Sequence, residues 1–211
     1  MRDDNLLLMV AVAAVIVSMV AAGFTYLSVS SLVTRISGYA TSTGQANITV
    51  ESHALANFTT NYVSWGSGRV SVGQTFAVLN TMETNNVTNG NWTLNTNGFR
   101  IENNGNVNVS IDLLAGKSAA QFIGGTNPGY QWNVSNVEAM SCLNSTGGNM
   151  SSSGFGTWAT VNNTNPGTRM CDRLFFSDSN DLIRIDLNLS IPYDSSQGAL
   201  TDTLTATATS V

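Results

Sequence analysis

Asparagine side chains in Asn-X-Ser/Thr triplets carry the clearest chemistry in this sequence, because such triplets accept N-linked glycans. The chain holds 25 Asn, 24 Ser and 24 Thr, so composition alone supplies about six triplets by chance. The ten triplets begin at Asn47, Asn57, Asn86, Asn91, Asn108, Asn133, Asn144, Asn149, Asn162 and Asn188. We expect several of them to carry glycans; the alternative is a plain surface rich in Asn and Thr.

The phase of three triplets favours glycans over chance. Asn47, Asn108 and Asn188 lie in the polar register of segments whose other register is Ile, Val or Leu. Successive side chains of a strand point to opposite faces, so these three amides are expected to face solvent. Attached sugars would place this part of the chain outside the cell and the N-terminus at or beneath the membrane plane.

The two cysteines, Cys142 and Cys171, flank a Gly- and Ser-rich stretch at 144–168 that we interpret as a long surface excursion. A bridge between them closes a loop of about 30 residues and stabilises the fold by roughly 3–4 kcal/mol in the chain-entropy model. A metal pair lacks further ligands, and a catalytic thiol has only His53 as a base. We therefore predict a disulfide in a chain that folds outside the cytoplasm.

Acidic residues near position 180 are the one candidate cation site. Asp178 and Asp181, with Asp172 and Asp186 nearby, offer oxygen ligands of the kind that Ca²⁺ prefers. The segment lacks the glycine and the terminal Glu of an EF-hand loop, and solvated turn carboxylates are the default interpretation. We expect no cofactor, with Ca²⁺ at this cluster as the weaker alternative.

Composition excludes several functional classes. The formal net charge is −5, which argues against nucleic acid because phosphate binding needs a basic surface. A single His makes most His-dependent catalysis improbable, and no spacing of carboxylates nominates a glycosidase pair. We name no catalytic residue and expect that the protein is not an enzyme.

An apolar segment at the start of the chain is the dominant element. No charged residue lies between Asp4 and Arg35, and Ser18 is the one strongly polar residue within 6–24. Nineteen helical residues span about 28 Å, close to the thickness of bilayer hydrocarbon. Apolar residues then continue at spacings of three and four to Ile36, so we predict one helix over about residues 4–37.

Three interpretations of this helix are open: a cleaved signal peptide, a single-pass anchor, and a helix buried against other copies in a filament core. A signal peptide would have a basic leader and a shorter apolar stretch. Small residues such as Ala14, Ala22 and Gly23 permit close helix packing, and the length beyond a bilayer suits a stalk, so we favour the filament. The predicted core residues are Leu6, Leu7, Leu8, Val10, Val12, Val15, Ile16, Val17, Val20, Phe24 and Leu27.

The rest of the chain shows the alternation of half-buried strands. Apolar residues alternate with polar ones over 47–50, 106–113, 183–191 and, more weakly, 200–208, and less regular strands are predicted near 55–63, 69–72, 74–80, 91–94, 98–102 and 173–176. This pattern predicts an antiparallel, immunoglobulin-like sandwich. The fold class is α+β, with a hydrophobic helix at 1–37, a linker at 38–44 and an extracellular β domain at 45–211.

With an apolar helix over 5–36, a short linker and a sequon-rich β domain, the chain resembles archaeal type IV pilins and archaellins. Locally, the run 98–111 is similar to segments of archaeal surface proteins and of sandwich fibre subunits of the TasA and camelysin type, and the block 124–135 with the two cysteines is similar to secreted archaeal proteins. One departure is Asn5, where bacterial type IV pilins carry a glutamate.

The resemblance implies assembly by a membrane platform into a helical filament with helices inside and β domains outside. We therefore expect a cell-surface structural subunit that partners with itself and is inserted in the membrane before assembly. The alternative is a single-pass, membrane-anchored surface glycoprotein or adhesin.

Overall fold

A computed structural model describes residues 3–36, 48–82, 87–152 and 154–211. The chain divides into two units, Met1–Thr49 and Val50–Val211. The first contains helix α1 (Asp3–Ile36). Over its described residues, the second contains the short helix α2 (Ala119–Phe122) and eleven strands. The strands are β1 (Ala56–Thr60), β2 (Phe76–Asn80), β3 (Val87–Thr88), β4 (Phe99–Asn103), β5 (Val109–Ala115), β6 (Gly129–Asn136), β7 (Cys142–Leu143), β8 (Ala159–Thr160), β9 (Thr168–Leu174), β10 (Leu182–Pro192) and β11 (Leu204–Ser210).

The structure confirms the α1 prediction. A run of apolar residues without Pro or an interior charge favours one continuous helix, because the backbone groups of its interior pair with each other. Two hydroxyls inside the apolar stretch also bond within the helix. Ser18 Oγ donates to the carbonyl of Ala14, and Thr25 Oγ1 donates to the carbonyls of Ala21 and Ala22. These hydroxyls therefore need no partner from outside the helix.

Two antiparallel sheets form the second unit in a sandwich-like arrangement, which confirms the α+β prediction. In the larger sheet the long strand β10 is central. It pairs with β4 and β2 along one side and with β6 along the other, while β1, β3 and β8 are added outside. The smaller sheet has the order β11-β5-β9-β7. We call these the β10 sheet and the β5 sheet.

Side-chain alternation builds the core between the sheets. Ile183, Ile185 and Leu187 of β10 are buried on the inner face together with Trp132 of β6 and Ile111 of β5. The strand predicted over 183–191 is therefore confirmed as β10. The strand predicted over 106–113 is confirmed from Val109 onward as β5, whereas residues 106–108 form no strand. Apolar burial of this kind, at about 25 cal/mol per Å², is the main favourable term in folding of the domain.

Four sequence-based expectations are wrong. The segment predicted as a strand over 47–50 forms none over its described residues 48–50, and the side chains of Ile48 and Val50 are exposed. Residues 69–72 form no strand either, since Val70 makes only an isolated bridge to Gly90. Residues 91–94 also form no strand. The stretch 144–168 is more than a surface excursion, since Val161 is buried and Phe155 packs on the core. The predicted linker at 38–44 lies outside the described residues.

Candidate functional site

The surface of α1 is the first candidate site, because its apolar side chains are uncovered within the single chain. The large apolar residues from Leu8 to Leu27 are between 51% and 76% exposed. Leu8–Leu27 is long and apolar enough to cross a membrane, and it is the one such helix within the described ranges. Leu6 and Leu7 also lie in the helix, but their side chains are outside the part of the chain that the structure describes.

A shallow depression runs along one side of α1. It is lined by Ala11, Val12, Val15, Ile16 and Met19, which recur at helical spacings of three and four. The small side chain of Ala11 lies beside larger neighbours and leaves a groove between them. Such a groove can accept a ridge of side chains from another helix. This surface matches an apolar partner, whether lipid or a second helix.

The ten sequons differ widely in exposure. Asn57, Asn91 and Asn149 are exposed, and Asn108, Asn144, Asn162 and Asn188 are half-buried. Asn133 is only 4% exposed. Asn47 and Asn86 lie outside the described residues. A glycan is large and hydrophilic, so the burial of this side chain in the folded domain argues against a glycan at Asn133.

Hydrogen bonding separates the sequons further. Asn91 accepts a hydrogen bond at Oδ1 from the Arg69 amide (2.7 Å), which leaves Nδ2 as the attachment atom. Asn144 instead organises a turn. Its Oδ1 accepts from Thr146 and Gly148, and its Nδ2 donates to the carbonyl of Asn149 (3.2 Å). Asn91 therefore suits modification better than Asn144 does.

Strand phase alone did not predict which amides face solvent. Asn188 is on the outer face of the β10 sheet, where its Nδ2 donates to Gln131 Oε1 (3.2 Å) while its Oδ1 is buried. The Oδ1 of Asn108 is buried too. Polar register is therefore an incomplete guide in a domain whose outer faces are partly covered by connecting segments.

One covered region of the outer face holds a buried ion pair. Arg184 donates from Nε to both carboxylate oxygens of Asp186 (2.9 and 3.0 Å), and Asp186 has a side chain only 2% exposed. The second guanidinium arm of Arg184 donates to the carbonyls of Thr81 and Thr96. Gly98 lies so close that a Cβ there would be 2.8 Å from Asp186 Oδ1. We call this the Arg184 cluster.

The Arg184 cluster borders a polar cleft of about 330 Å³, lined by Thr60, Asn97, Gly98, Arg100 and Arg184. Arg184 is paired with Asp186 and also donates to the two carbonyls, so its charge is balanced within the protein. The cluster therefore fixes the segment before β4 on β10, and this role is structural. Sequence reasoning missed it, because its members are separated by up to about 100 residues in the chain.

The disulfide prediction is confirmed. Cys142 of β7 and Cys171 of β9 are bonded, with their Cα atoms 5.7 Å apart, and both are fully buried. Within the described residues no cysteine is free. A disulfide of this kind is typical of an oxidising, extracytoplasmic environment.

The calcium grouping is not assembled. Asp186 is committed to Arg184, and Asp172 accepts a hydrogen bond from the Ser145 amide in the β5 sheet. In the ranges that the structure describes, no group of three or more Asp, Glu, His or Cys side chains is placed to hold a metal ion. The weaker alternative, a Ca²⁺ site that joins Asp172 and Asp186 to Asp178 and Asp181, is therefore not supported by the structure.

Asp181 is nonetheless unusual among the carboxyl groups. It is 4% exposed and lies beside Glu138, whose Oε2 accepts from the amides of Asp181 and Leu182. Burial raises the pKa of Asp181 to about 6, with a further contribution from the negative charges of Glu138, Glu102 and Asp178.

This raised pKa gives a testable pH dependence. Between about pH 4 and pH 6 the folded state binds a proton that the unfolded state has released, so stability falls as pH rises through this window. We expect Asp181→Asn to raise the free energy of unfolding at pH 7.5 by about 1–3 kcal/mol, with the gain vanishing below pH 4. Denaturant titrations at several pH values measure it.

The exposed Asp178 provides the matched control. Asp178→Asn is expected to change stability by no more than about 0.5 kcal/mol at either pH. Two results would contradict this explanation: an equal gain from both substitutions, or a gain from Asp181→Asn that persists at pH 3.5. Either would show that ionisation of Asp181 does not destabilise the folded domain.

Comparison of the chain with protein-family models, with curated proteins and with solved structures finds no match. The helix, the exposed sequons and the disulfide-bonded β domain are therefore the features that bear on function.

Proposed function

We propose that this protein is a structural, pilin-like subunit of an extracellular helical filament. The α1 helices bundle in the core, the β domains lie outside, and the chain is inserted in the membrane before assembly. It has no enzymatic role in this proposal. The observation that carries it is the uncovered apolar surface of α1, where every large side chain from Leu8 to Leu27 is more than half exposed. A surface of this size marks an interaction site.

The length of α1 supports a filament over a simple anchor. Its 34 residues correspond to about 50 Å, whereas bilayer hydrocarbon is about 30 Å thick. A helix that only crossed a bilayer could end about ten residues earlier. In a filament the additional turns extend the core contact. Burial against neighbouring copies removes apolar surface from water along the whole fibre.

The alternative proposal is a single-pass surface glycoprotein or adhesin that stays in the membrane plane. The observation that favours it is that Leu8–Leu27 alone meets the length and hydropathy of a membrane span. Negative-stain microscopy of material sheared from the cell surface tests the two proposals. Thin filaments containing this chain support the pilin, and recovery solely from detergent-solubilised membranes overturns it.

Glycans on the β domain are part of the proposal, and the exposed Asn57, Asn91 and Asn149 are the positions that we expect to be occupied. Intact-mass analysis of the native protein should exceed the polypeptide mass of 22.3 kDa. Asn91→Gln is expected to remove one glycan mass. Asn133→Gln, at a buried sequon, is the control and should leave the glycan mass unchanged.

A bare polypeptide mass would overturn the glycan proposal while leaving the filament proposal intact. Loss of a glycan from Asn133→Gln would contradict the assignment by exposure.

A further inference from the structure

Strand β11 is an open edge of the β5 sheet. Its seven residues pair with β5 in one continuous register. Beyond the two ends of the ladder, Gly116 donates to the Thr203 carbonyl and Val211 donates to the Asn108 carbonyl. In an antiparallel pair such bonded positions alternate, so odd-numbered residues direct their backbone groups toward β5. Those of Leu204, Ala206, Ala208 and Ser210 point away from it.

These outward groups have no partner strand among the described residues. Among the described strands, β11 pairs only with β5. Strand β1 of the other sheet comes near β11 but does not pair with it. The inner side chains of Leu204, Ala206 and Ala208 are only half-buried. A further strand along this edge would therefore satisfy backbone groups and cover apolar surface in the same step.

The other sheet edges are blunted in ways that natural proteins use against pairing. Edge strands β3, β7 and β8 have two residues each. Edge strand β1 has a register irregularity between Phe58 and Thr60. β11 has neither feature, and residues 203–211 contain no charge and no Pro. Among the described strands it is the long, regular and uncharged edge.

The sequence of β11 indicates which partner fits. Residues 205–209 read Thr-Ala-Thr-Ala-Thr, which is the same in both directions about Thr207. An antiparallel copy of the strand therefore places Thr opposite Thr on the outer face and Ala opposite Ala on the inner face. Cross-strand Thr pairs are favourable, and no like charges meet.

We propose that β11 is a self-association edge, which pairs antiparallel with β11 of a second copy in a register centred on Thr207. In this register Ala206 exchanges hydrogen bonds with the second copy's Ala208, and Leu204 exchanges them with its Ser210. Together the two strands form about eight inter-chain hydrogen bonds. The two Thr207 residues meet as a non-hydrogen-bonded pair.

This contact differs from the one that builds the proposed fibre. A two-fold contact is isologous and closes on itself, whereas a polar helical fibre needs a head-to-tail contact. The β11 pair therefore joins neighbouring fibres side by side or dimerises free subunits. It depends on the β domain alone, so it does not require the filament proposal to be correct.

Cysteine cross-linking of the full chain in detergent tests the register. A non-hydrogen-bonded antiparallel pair holds its Cα atoms about 4.5 Å apart, within the range of a disulfide. Thr207→Cys should therefore cross-link to itself on mild oxidation. Thr205→Cys is the matched control, because in this register its two copies lie four residues, or about 13 Å, apart. Both threonines are exposed, and the buried native disulfide stays closed.

We expect self-cross-linking of Thr207→Cys to exceed that of Thr205→Cys by at least about tenfold, because disulfide formation depends steeply on Cα separation. A mixture of Thr205→Cys and Thr209→Cys chains should give the mixed dimer. Ala206→Pro in the Thr207→Cys chain removes an outward N–H, without touching the β5 ladder, and should abolish the cross-link. Ala206→Ser keeps the N–H and should retain it.

Equal cross-linking of Thr205→Cys and Thr207→Cys would show collision alone and would overturn the proposal. Absence of cross-linking in both, or efficient self-cross-linking of Thr205→Cys alone, would also overturn it. Tryptophan fluorescence reports whether Ala206→Pro remains folded; if it unfolds, the mixed Thr205→Cys and Thr209→Cys dimer decides. Failure of the filament proposal would instead appear in microscopy and would leave this cross-linking pattern unchanged.

Discussion

Replacing Val15 by Asp in the middle of α1 is expected to abolish filaments while the β domain stays folded. In the proposed core the carboxylate has no water and no basic partner, since no charged residue lies between Asp4 and Arg35. A charge at the centre of an apolar helix costs about 2.5–3.5 kcal/mol even on the mildest scale. Because every subunit carries the same change, the loss applies at each step of assembly.

The measurement is negative-stain microscopy of sheared surface material, with tryptophan fluorescence as the report of folding. All four tryptophans lie in the β domain, at positions 65, 92, 132 and 158. The matched control is Val72→Asp, the same chemical change at a head residue that is 95% exposed. Normal fibres are expected from Val72→Asp. Normal fibres from Val15→Asp would overturn the proposal that the α1 helices form the filament core.

A charged residue also hinders membrane insertion, so a second variant separates the filament from a simple anchor. Ala22→Phe adds a large apolar side chain, which lipid accommodates. In a close-packed bundle the same side chain is an overpacking change that costs about 1–3 kcal/mol per subunit. We expect Ala22→Phe to reach the membrane normally and to form few fibres. If it assembles like the native chain, Ala22 does not lie at a close helix contact and the close-packed core proposed here is contradicted.

The parts of the fold that sequence predicted are those governed by one strong periodic signal. α1 is apolar over several consecutive turns, and β10 alternates without interruption from Ile183 to Ile191. Local helix preference is sufficient for α1, and in β10 local preference and burial agree, so no information from the rest of the chain was needed. The cysteine pair was predictable for a different reason, because two cysteines allow one bridge.

β6 shows where this reasoning failed. Its inward residues Tyr130, Trp132 and Val134 alternate with Gln131 and Asn133, so the period-two signal was present. The preceding Asn-Pro-Gly and the sequon at Asn133 are instead typical of turn and glycan chemistry. Asn133 lies opposite Asp186 of β10 and is buried although it is in the polar register, and burial that depends on tertiary packing leaves no local mark in a sequence.

The converse failure is at residues 48–50. Ile48 and Val50 have the alternation of a strand, but a strand also needs an available edge. Nearby, the side chain of Asn106 accepts from the His53 amide and donates to the Glu51 carbonyl, so this segment is held by an asparagine instead of a ladder. Periodicity records which residues could pair, and the topology decides which do.

Among substitutions of polar residues on the outer faces of the two sheets, loss of Arg184 is expected to destabilise the β domain most. Arg184→Met removes the partner of Asp186 and leaves a carboxylate that is 2% exposed with the Thr81 hydroxyl as its remaining side-chain donor. It also strips the carbonyls of Thr81 and Thr96 of a charged donor. Breaking a buried pair from one side typically costs about 3–5 kcal/mol.

The exposed ion pair of Arg169 with Asp112 is the matched control. Arg169 donates from Nε and Nη2 to Asp112 at 2.7 and 2.9 Å, but its side chain is 46% exposed. Water screens and replaces such a contact, so Arg169→Met is expected to cost less than about 1 kcal/mol. Denaturant unfolding of both variants, followed by tryptophan fluorescence, measures the contrast.

Pairing Arg184→Met with Asp186→Leu tests the physical reason. If the cost comes from the stranded Asp186 carboxylate, removing it should recover part of the loss, because an apolar pair often replaces a buried ion pair at little cost. We expect the double variant to be more stable than Arg184→Met by about 1–3 kcal/mol. A double variant that is less stable still would show that the Thr81 and Thr96 carbonyls, which hold the covering segment on β10, carry the effect instead.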